Sequence, residues 1–259
     1  MPDALIDAVA AAAAEAGRLA LERIGTDYRR WEKEPGHPVC EIDLAVDLLL
    51  KQRLRAIAPD AGWLSEETAD NPARLDHARV WVVDPIDGTR DYLRGRTGWC
   101  VSVALVEDGR LVLGVLDAPA RSEVWLAQAG GGATRNGVPL QASRRDLLPG
   151  ARVPADTLPR IDEDLVPVPR PNSIALRIAM VAADEADLCA SIRWGNEWDI
   201  AAAALIAEEA GATVTDAFGV PIRYNSSAGE AFGVLASAPA IHTAAVARLG
   251  ERASAASVR

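Results

Sequence analysis

Two aspartates at the end of an apolar segment are the residues of this chain best suited to chemistry. Asp84 and Asp87 follow the apolar residues 80–83 and stand three positions apart, in a turn that also holds Pro85 and Gly88. Two carboxylates that are buried together repel each other and lose hydration, so they favour a bound cation. Because the available ligands are oxygens, the expected cation is a hard one, above all Mg²⁺. The motif therefore predicts metal-assisted chemistry.

Three further acidic residues stand at predicted ends of helices or strands. Asp43 precedes a helical pattern, Glu66 follows a short strand, and Asp199 opens an Ala-rich helix. Each alone has a structural explanation, since Asp43 is a plausible N-cap and Asp199 would favour the positive end of its helix. Their order along the chain, together with the Asp84 motif, is what favours one shared acidic site.

Hydrophobic periodicity predicts the elements that must position these residues. The pattern predicts helices at 3–24, 43–57, 173–183, 199–210 and 238–252, and strands at 63–65, 80–83, 100–106, 111–116, 123–127, 213–216 and 232–236. Residues 31–38 are polar and carry Pro and Gly, which predicts a loop. Antiparallel hairpins interleaved with helices predict an α+β protein of layered sheets and helices, and not a doubly wound parallel sheet.

A proline-rich stretch divides the chain into two predicted lobes. Residues 141–171 hold six prolines and scattered charges, a composition typical of a connection. We therefore expect an N-terminal α+β lobe over residues 1–150, which carries most of the candidate ligands. A C-terminal α/β lobe over residues 151–259 would carry Asp199 and the side chains that face the substrate.

Composition argues against several other classes of protein. The formal net charge of −10 disfavours nucleic-acid binding, which needs a basic surface. Three cysteines without a CxxC spacing favour neither a disulfide framework nor a zinc site. No stretch approaches the roughly 20 apolar residues of a membrane span, and the N-terminal apolar run lacks the basic start of a signal peptide. We therefore expect a cytoplasmic protein without a membrane partner.

Three short acidic motifs stand in a fixed order along the chain. They are Ser-Glu-Glu-Thr at 65–68, Asp-Pro-Ile-Asp-Gly-Thr at 84–89 and Glu-Trp-Asp-Ile-Ala-Ala at 197–202, followed by Glu-Glu-Ala-Gly at 208–211. In this order they resemble the inositol monophosphatase superfamily of Mg²⁺-dependent, lithium-sensitive phosphomonoesterases, over most of the chain. The resemblance implies an αβαβα layered sandwich of the inositol monophosphatase and fructose-1,6-bisphosphatase type, a small phosphorylated substrate and a homodimer.

The resemblance also implies a set of ligands for two or three Mg²⁺ ions. Glu66, Asp84 and the backbone carbonyl of Ile86 would hold the first ion. Asp84, Asp87 and Asp199 would hold the second, so that Asp84 bridges the pair. These assignments use all three motifs, and every ligand position carries an acidic residue or a main-chain oxygen.

Catalytic and phosphate-binding roles follow from the same resemblance. Asp43 would lie near a weaker third ion and contact Thr89, while Thr89 and Glu66 would orient and deprotonate the attacking water. Asp87 and the amides of Gly88 and Thr89 would face the phosphate, and a helix that begins at this point would favour an anion there.

The residues around the motifs bear on the substrate. Arg-Asp-Tyr at 90–92 resembles the 3′(2′),5′-bisphosphate nucleotidases of the CysQ type, whereas inositol monophosphatases continue with other residues. Arg193 beside Trp194 suits a second phosphate and a stacked base better than a polyol, and Arg177 matches a lysine of the nucleotidases. We therefore favour 3′-phosphoadenosine 5′-phosphate as the substrate. Inositol 1-phosphate, histidinol phosphate and fructose bisphosphate stay open, as does an inactive binding homologue.

Overall fold

The computed structural model describes residues 2–34 and 37–258, and these residues form five alternating layers of helices and sheets. The helices are α1 (Pro2–Arg23), α2 (Glu41–Ile57), α3 (Thr89–Leu93), α4 (Ile174–Ala182), α5 (Glu197–Glu209) and α6 (Pro239–Ser257). The first strands are β1 (Arg30–Glu34), β2 (His37–Cys40), β3 (Gly62–Ser65), β4 (Arg79–Asp87), β5 (Cys100–Glu107), β6 (Arg110–Ala118) and β7 (Glu123–Gln128). The others are β8 (Gly132–Arg135), β9 (Val138–Pro139), β10 (Arg152–Pro154), β11 (Val166–Val168), β12 (Leu188–Asn196), β13 (Thr213–Thr215) and β14 (Glu230–Ser237).

A seven-stranded sheet with the order β3-β4-β5-β6-β7-β8-β9 is the centre of the fold. Only β3 and β4 run parallel, and the remaining neighbours are antiparallel. Side chains alternate across a strand, so Val80 and Val82 of β4 lie in the apolar cluster that includes α4 and α5, while Trp81 and Val83 lie in the cluster that includes α1 and α2. Burial on both faces explains why this strand is continuously apolar.

A second sheet and the last helix complete the layers. The three-stranded sheet β12-β14-β13 is antiparallel, and α5 contacts strands of both sheets. The face of the second sheet that points away from α5 is covered by α6, where Ile241 and Ala245 pack against Leu188 and Leu235. The order helix, sheet, helix, sheet, helix confirms the predicted αβαβα sandwich.

The structure corrects three predictions of secondary structure. The predicted loop at 31–38 is wrong, because β1 and β2 pair there as an antiparallel hairpin around residues 35–36, which lie outside the described residues. The strand at 188–196 was not predicted, since its sequence lacks a regular alternation and its pairing with β14 makes it a strand. The connection at 141–171 contains the parallel pair β10 and β11. The two-lobe division at residue 150 stays a prediction.

No helix within residues 2–34 and 37–258 combines the length and the apolarity needed to cross a membrane.

Candidate active site

The acidic residues predicted from the motifs lie together around the C-terminal end of β4. Asp84 is only 1% exposed, and burial raises the pKa of its carboxyl. The negative charges of Glu66, Asp87, Asp199 and Asp43 raise the pKa of Asp84 further. One buried carboxylate therefore has all four other predicted acids around it.

A bulge at the end of β4 brings Asp84 and Asp87 to the same side. Asp84 pairs with Ser102 of β5 and Asp87 pairs with Cys100, so β4 uses one more residue than its partner over this stretch. In a regular strand, residues three apart face opposite sides of the sheet. The predicted turn at 84–88 is therefore corrected to a bulged strand that continues to Asp87.

The backbone between the two aspartates is fixed by its own hydrogen bonds. The Ile86 amide donates to Asp84 Oδ1 over 3.0 Å, and the Thr89 hydroxyl donates to the Ile86 carbonyl over 3.0 Å. Gly88 has a φ of +95°, and a Cβ there would lie 2.7 Å from the Gly98 carbonyl oxygen. Only glycine fits this position, and the chain can then start α3 at Thr89.

Asp87 is bound by the start of α4. Its Oδ2 accepts hydrogen bonds from the Ser173 hydroxyl at 2.5 Å and the Ala175 amide at 2.7 Å, and its Oδ1 accepts one from the Ile174 amide at 3.3 Å. Burial raises the pKa of Asp87, and these bonds together with the charge of Arg177 oppose the rise. Ser173 is a site residue that the sequence did not reveal. The sequence placed Ser173 within the predicted helix at 173–183, and nothing there indicated a partner 86 residues away.

Asp43 and Asp199 occupy equivalent places in two helices. Asp43 is the third residue of α2 and accepts hydrogen bonds of 2.8 Å from both the amide and the thiol of Cys40. Asp199 is the third residue of α5 and accepts a 3.3 Å bond from the Asn196 amide. The sequence suggested that Asp43 is the N-cap of α2, and this prediction is wrong. Cys40 takes that position because the helix begins two residues earlier than predicted.

The surroundings of Asp199 raise the pKa of its carboxyl. Burial raises the pKa of Asp199 to about 7, and the charge of Asp87 contributes to the rise. The Asn196 amide and the charges of Arg193 and Arg177 act in the opposite direction. The predicted substrate arginines thus lie within electrostatic reach of a predicted metal ligand.

Glu66 is positioned by a buried aspartate that the sequence did not reveal. Asp47 of α2 accepts hydrogen bonds from the Ser65 hydroxyl at 2.5 Å and the Thr68 hydroxyl at 2.6 Å. The Glu66 amide donates to the Val83 carbonyl of β4 over 3.3 Å. The segment that carries Glu66 is thereby held by both α2 and the central sheet.

The sequence model of the Inositol monophosphatase family matches residues 1–254. The chain belongs to the inositol monophosphatase family. Members of this family are phosphatases that hydrolyse phosphate monoesters, so the type of reaction predicted from the three motifs is confirmed.

Proteins similar to this chain carry different names, and some of these names state different substrates. A 3′-phosphoadenosine 5′-phosphate phosphatase of Mycobacterium leprae is 36% identical over 241 residues, which are 85% of each chain. A histidinol-phosphatase of Chlorobaculum parvum is 34% identical over 220 residues, which are 79% of this chain and 82% of that protein. The crystal structure of the extragenic suppressor protein suhB from Bartonella henselae superposes with a TM-score of 0.82 at 28% identity, over 95% of this chain and 98% of that one. Membership alone therefore does not select the ester.

The donor set of this family member fits a hard divalent cation. Asp84, Asp87 and Asp199 offer only oxygen ligands, and none of them forms an ion pair within 4.0 Å to a described basic residue. Across residues 2–34 and 37–258, no three acidic, histidine or cysteine side chains meet at one point as a ready-made metal site. Each of the three carboxylates instead accepts a hydrogen bond from a nearby backbone amide, which offsets part of its charge.

An arginine cluster and an aromatic cluster adjoin the acidic site of this phosphatase. Burial lowers the pKa of Arg177, and the nearby positive charges of Arg170 and Arg193 lower it further. Trp194 is 40% exposed and meets Phe232 edge to face, with ring centroids 5.4 Å apart. Arg193, Trp194 and Asp199 line one small cleft, so positive charge and an aromatic face lie beside a predicted metal ligand.

Proposed function

We propose that this phosphatase removes the 3′-phosphate of 3′-phosphoadenosine 5′-phosphate, as a Mg²⁺-dependent 3′(2′),5′-bisphosphate nucleotidase. The observation that carries the proposal is the small cleft that Arg193 and Trp194 line together with Asp199, whose carboxyl also feels the positive charge of Arg177. Arg170 pairs with Asp156 and Arg177 donates to the Ser173 and Asn172 carbonyls, whereas Arg193 forms no ion pair with a described residue. The charge of Arg193 therefore favours an additional anionic group on the ligand. A bisphosphate has such a group beyond the phosphate that is hydrolysed, whereas a simple monoester does not.

The aromatic cluster supports a nucleoside as the rest of the substrate. Trp194 is held by Phe232, which in turn stacks on Phe218 with ring centroids 5.3 Å apart. A partly exposed and supported ring suits stacking with a purine base. The likeness to the Mycobacterium leprae phosphatase, whose name states this substrate, supports the same assignment.

Metal binding is proposed at the residues that the motifs indicated. Glu66, Asp84, Asp87, Asp199 and the Ile86 carbonyl would hold two Mg²⁺ ions, and a third would lie near Asp43. When bound, the ions supply Lewis-acid polarisation of the phosphoryl group and charge stabilisation for the attacking and leaving oxygens.

The chain's own residues orient the reactants. We propose that the Thr89 hydroxyl orients the attacking water and that Glu66 accepts its proton, with Asp43 as a supporting acid. The Gly88 and Thr89 amides would donate to the phosphate oxygens. Arg177 and Arg193 would bind the second phosphate, and Trp194 would stack on the base.

Phosphate release with several esters tests the proposed substrate. The assay compares adenosine 3′,5′-bisphosphate, inositol 1-phosphate, histidinol phosphate and fructose 1,6-bisphosphate in the presence of Mg²⁺. Arg193→Gln should lower kcat/KM for the bisphosphate by about tenfold or more, because a charge-assisted hydrogen bond contributes about 1.5–3 kcal/mol. The same variant should leave hydrolysis of inositol 1-phosphate within about threefold.

Arg144 is an exposed arginine, so Arg144→Gln is the charge-matched control. It should leave kcat/KM for both esters unchanged. Equal losses for both esters in Arg193→Gln would contradict a second-phosphate site. Activity confined to inositol 1-phosphate would exclude the nucleotidase. The likeness to the Chlorobaculum parvum histidinol-phosphatase makes histidinol phosphate the second candidate, and a higher kcat/KM for that ester would establish it instead.

We further propose a homodimer located in the cytoplasm. Light scattering coupled to size-exclusion chromatography should give twice the mass of one chain, and a monomer at micromolar concentration would contradict the dimer.

A further inference from the structure

A large cleft lies on the other half of α2, away from the acidic site. It has a volume of about 540 Å³ and is bounded by the second half of α2, the start of β3 and residues 68–77. Lys51, Arg55, Trp63, Thr68 and His77 are among its lining residues. None of the acidic residues assigned to metal binding lines it. We call it the α2–β3 cleft.

Its position on α2 separates the cleft from the site of hydrolysis. Lys51 follows Asp43 by eight residues on the same helix, which corresponds to about 12 Å along the axis. Trp63 lies near the start of β3, whose other end leads to Glu66. The cleft and the acidic site thus share the elements α2 and β3 but occupy opposite ends of them.

Two positive charges at the rim of the cleft have no acidic partner among the described residues. Lys51 and Arg55 stand one helical turn apart, and neither forms an ion pair with any residue in the described part of the chain. The Lys51 ammonium lies 5.4 Å from the centre of the Trp63 ring. The chain has a net charge of −10 and Lys51 is one of its two lysines.

The other basic residues of the cleft are already engaged. Arg74 is buried and donates to Asp70 at 2.7 Å and to the Asn225 side chain at 2.5 Å. His77 Nδ1 lies 2.7 Å from the Asp60 carbonyl oxygen. The charge available to a ligand therefore comes from Lys51 and Arg55, above walls that include apolar atoms.

We propose that the α2–β3 cleft binds a small organic phosphate or phosphonate. Lys51 and Arg55 hold its anionic head, and its compact apolar body lies against the apolar atoms of the cleft wall, to which Trp63 contributes an edge that is 9% exposed. The volume lies within the usual range of small-molecule sites, about 300–1,000 Å³. Two cations four residues apart on one helix face suit a doubly charged head group. This site is independent of which ester the acidic site hydrolyses.

NMR of the two lysines tests the proposal directly. Reductive ¹³C-methylation keeps the charge of each lysine and gives two side-chain signals, which Lys33→Arg and Lys51→Arg assign. The probe is phenylphosphonate, which has an anionic head, an apolar ring and no ester bond to hydrolyse. The titration is done in EDTA so that bound metal does not draw the probe to the acidic site.

The Lys51 signal should move with saturation, at a Kd of about 1 mM or tighter, while the Lys33 signal stays in place. Arg55→Gln should weaken binding about fivefold or more. Arg53→Gln is the matched control, since Arg53 is on the same helix and pairs with Glu15 at 2.7 Å outside the cleft. It should leave the Kd within about twofold.

Three results would overturn the assignment. The first is no saturable movement of the Lys51 signal up to about 20 mM probe. The second is equal weakening by Arg53→Gln and Arg55→Gln, since that reports general charge screening. The third is equal affinity for inorganic phosphate and phenylphosphonate, which would remove the role of the apolar wall.

Discussion

At the scale of single residues, Asp84 is the carboxylate of this site that experiences both strong desolvation and strong repulsion. It is buried, it has no cationic partner among the described residues, and four other acids act on it. Such a carboxylate costs stability in the metal-free protein and would stabilise the proposed metal ion. Its effects on folding and on activity should therefore have opposite signs.

Asp84→Asn is the substitution that separates these effects. We expect kcat to fall by about 10³-fold or more because the proposed bridging ligand is lost, while the melting temperature in EDTA rises because a buried charge is removed. Phosphate release and thermal unfolding measure the two effects. Asp146→Asn, at an exposed position, should change neither. Full Mg²⁺-dependent activity in Asp84→Asn would disprove the metal assignment.

A second residue, Asp47, should act on catalysis only through Glu66. Asp47→Ala removes the acceptor of the Ser65 and Thr68 hydroxyls, so the segment between them loses its attachment to α2. We expect kcat or the apparent Mg²⁺ affinity to fall about 10- to 100-fold, as for other residues that orient metal ligands, with KM nearly unchanged. Asp47→Asn keeps one acceptor oxygen and should restore part of the activity. If KM rises and kcat falls to a similar extent in both variants, Asp47 has only a structural role.

At the scale of elements, three helix N-termini converge on the acidic site. Asp43 lies in the first turn of α2, Asp199 in the first turn of α5, and Asp87 accepts hydrogen bonds from the first amides of α4. The positive ends of helix dipoles favour negative charge. The fold thus offsets part of the carboxylate repulsion before any metal binds.

The close contact between α5 and the central sheet sets the position of Asp199. A Cβ at Gly114 of β6 would lie 2.6 Å from the Ala202 carbonyl oxygen of α5. Gly114→Ala should therefore push α5 outwards, lower the free energy of unfolding by about 1–3 kcal/mol and weaken Mg²⁺ activation. Denaturant unfolding and Mg²⁺ titration of the activity measure both effects.

Gly250→Ala is the matched control for Gly114→Ala, since it makes the same change away from the contact between α5 and β6. A Cβ at Gly250 in α6 meets no atom within 4 Å, so this change should raise the stability by about 0.5–1 kcal/mol. Unchanged Mg²⁺ activation in Gly114→Ala, despite lower stability, would show that α5 does not position Asp199.

The elements also show what the sequence could and could not predict. The turn at Asp108 and Gly109, with φ values of 49° and 77°, follows from local turn chemistry, and both flanking strands were predicted. Asp84 and Asp87 were found for the same reason, since their signal is local. Ser173 and Asp47 were missed because their partners lie 86 and 18 to 21 residues away. Pairing between distant segments decides these contacts, and no local pattern encodes it.

At the scale of the whole molecule, buried carboxylates should give the metal-free protein an unusual pH dependence. The pKa values of Asp84 and Asp87 are raised and that of Asp199 is about 7. These groups bind protons more tightly in the folded than in the unfolded chain. Stability is therefore highest where they are protonated, and it falls as the pH rises from about 4 through about 7.

Asp187 makes the free energy of unfolding change with pH in the opposite direction, at lower pH. Burial alone would raise its pKa, but hydrogen bonds from Arg152 and Ser143 lower it to about 2. This contribution is present above the unfolded pKa of about 4 and is lost as the pH falls towards 2. Metal-free stability should thus peak near pH 4 to 5.

Unfolding in denaturant at pH 5, 6.5 and 8 measures this profile. In EDTA the free energy of unfolding should drop by roughly 3 kcal/mol between pH 5 and pH 8. Saturating Mg²⁺ should remove most of the drop, because the metal binds the ionised carboxylates of the folded chain. Asp117 is the internal control, since burial raises its pKa to about 6 and it faces α1. Asp117→Asn should flatten only the part of the profile that Mg²⁺ leaves unchanged. Equal metal-free stability at pH 5 and pH 8, with no effect of Mg²⁺, would show that the acidic cluster is not a metal site.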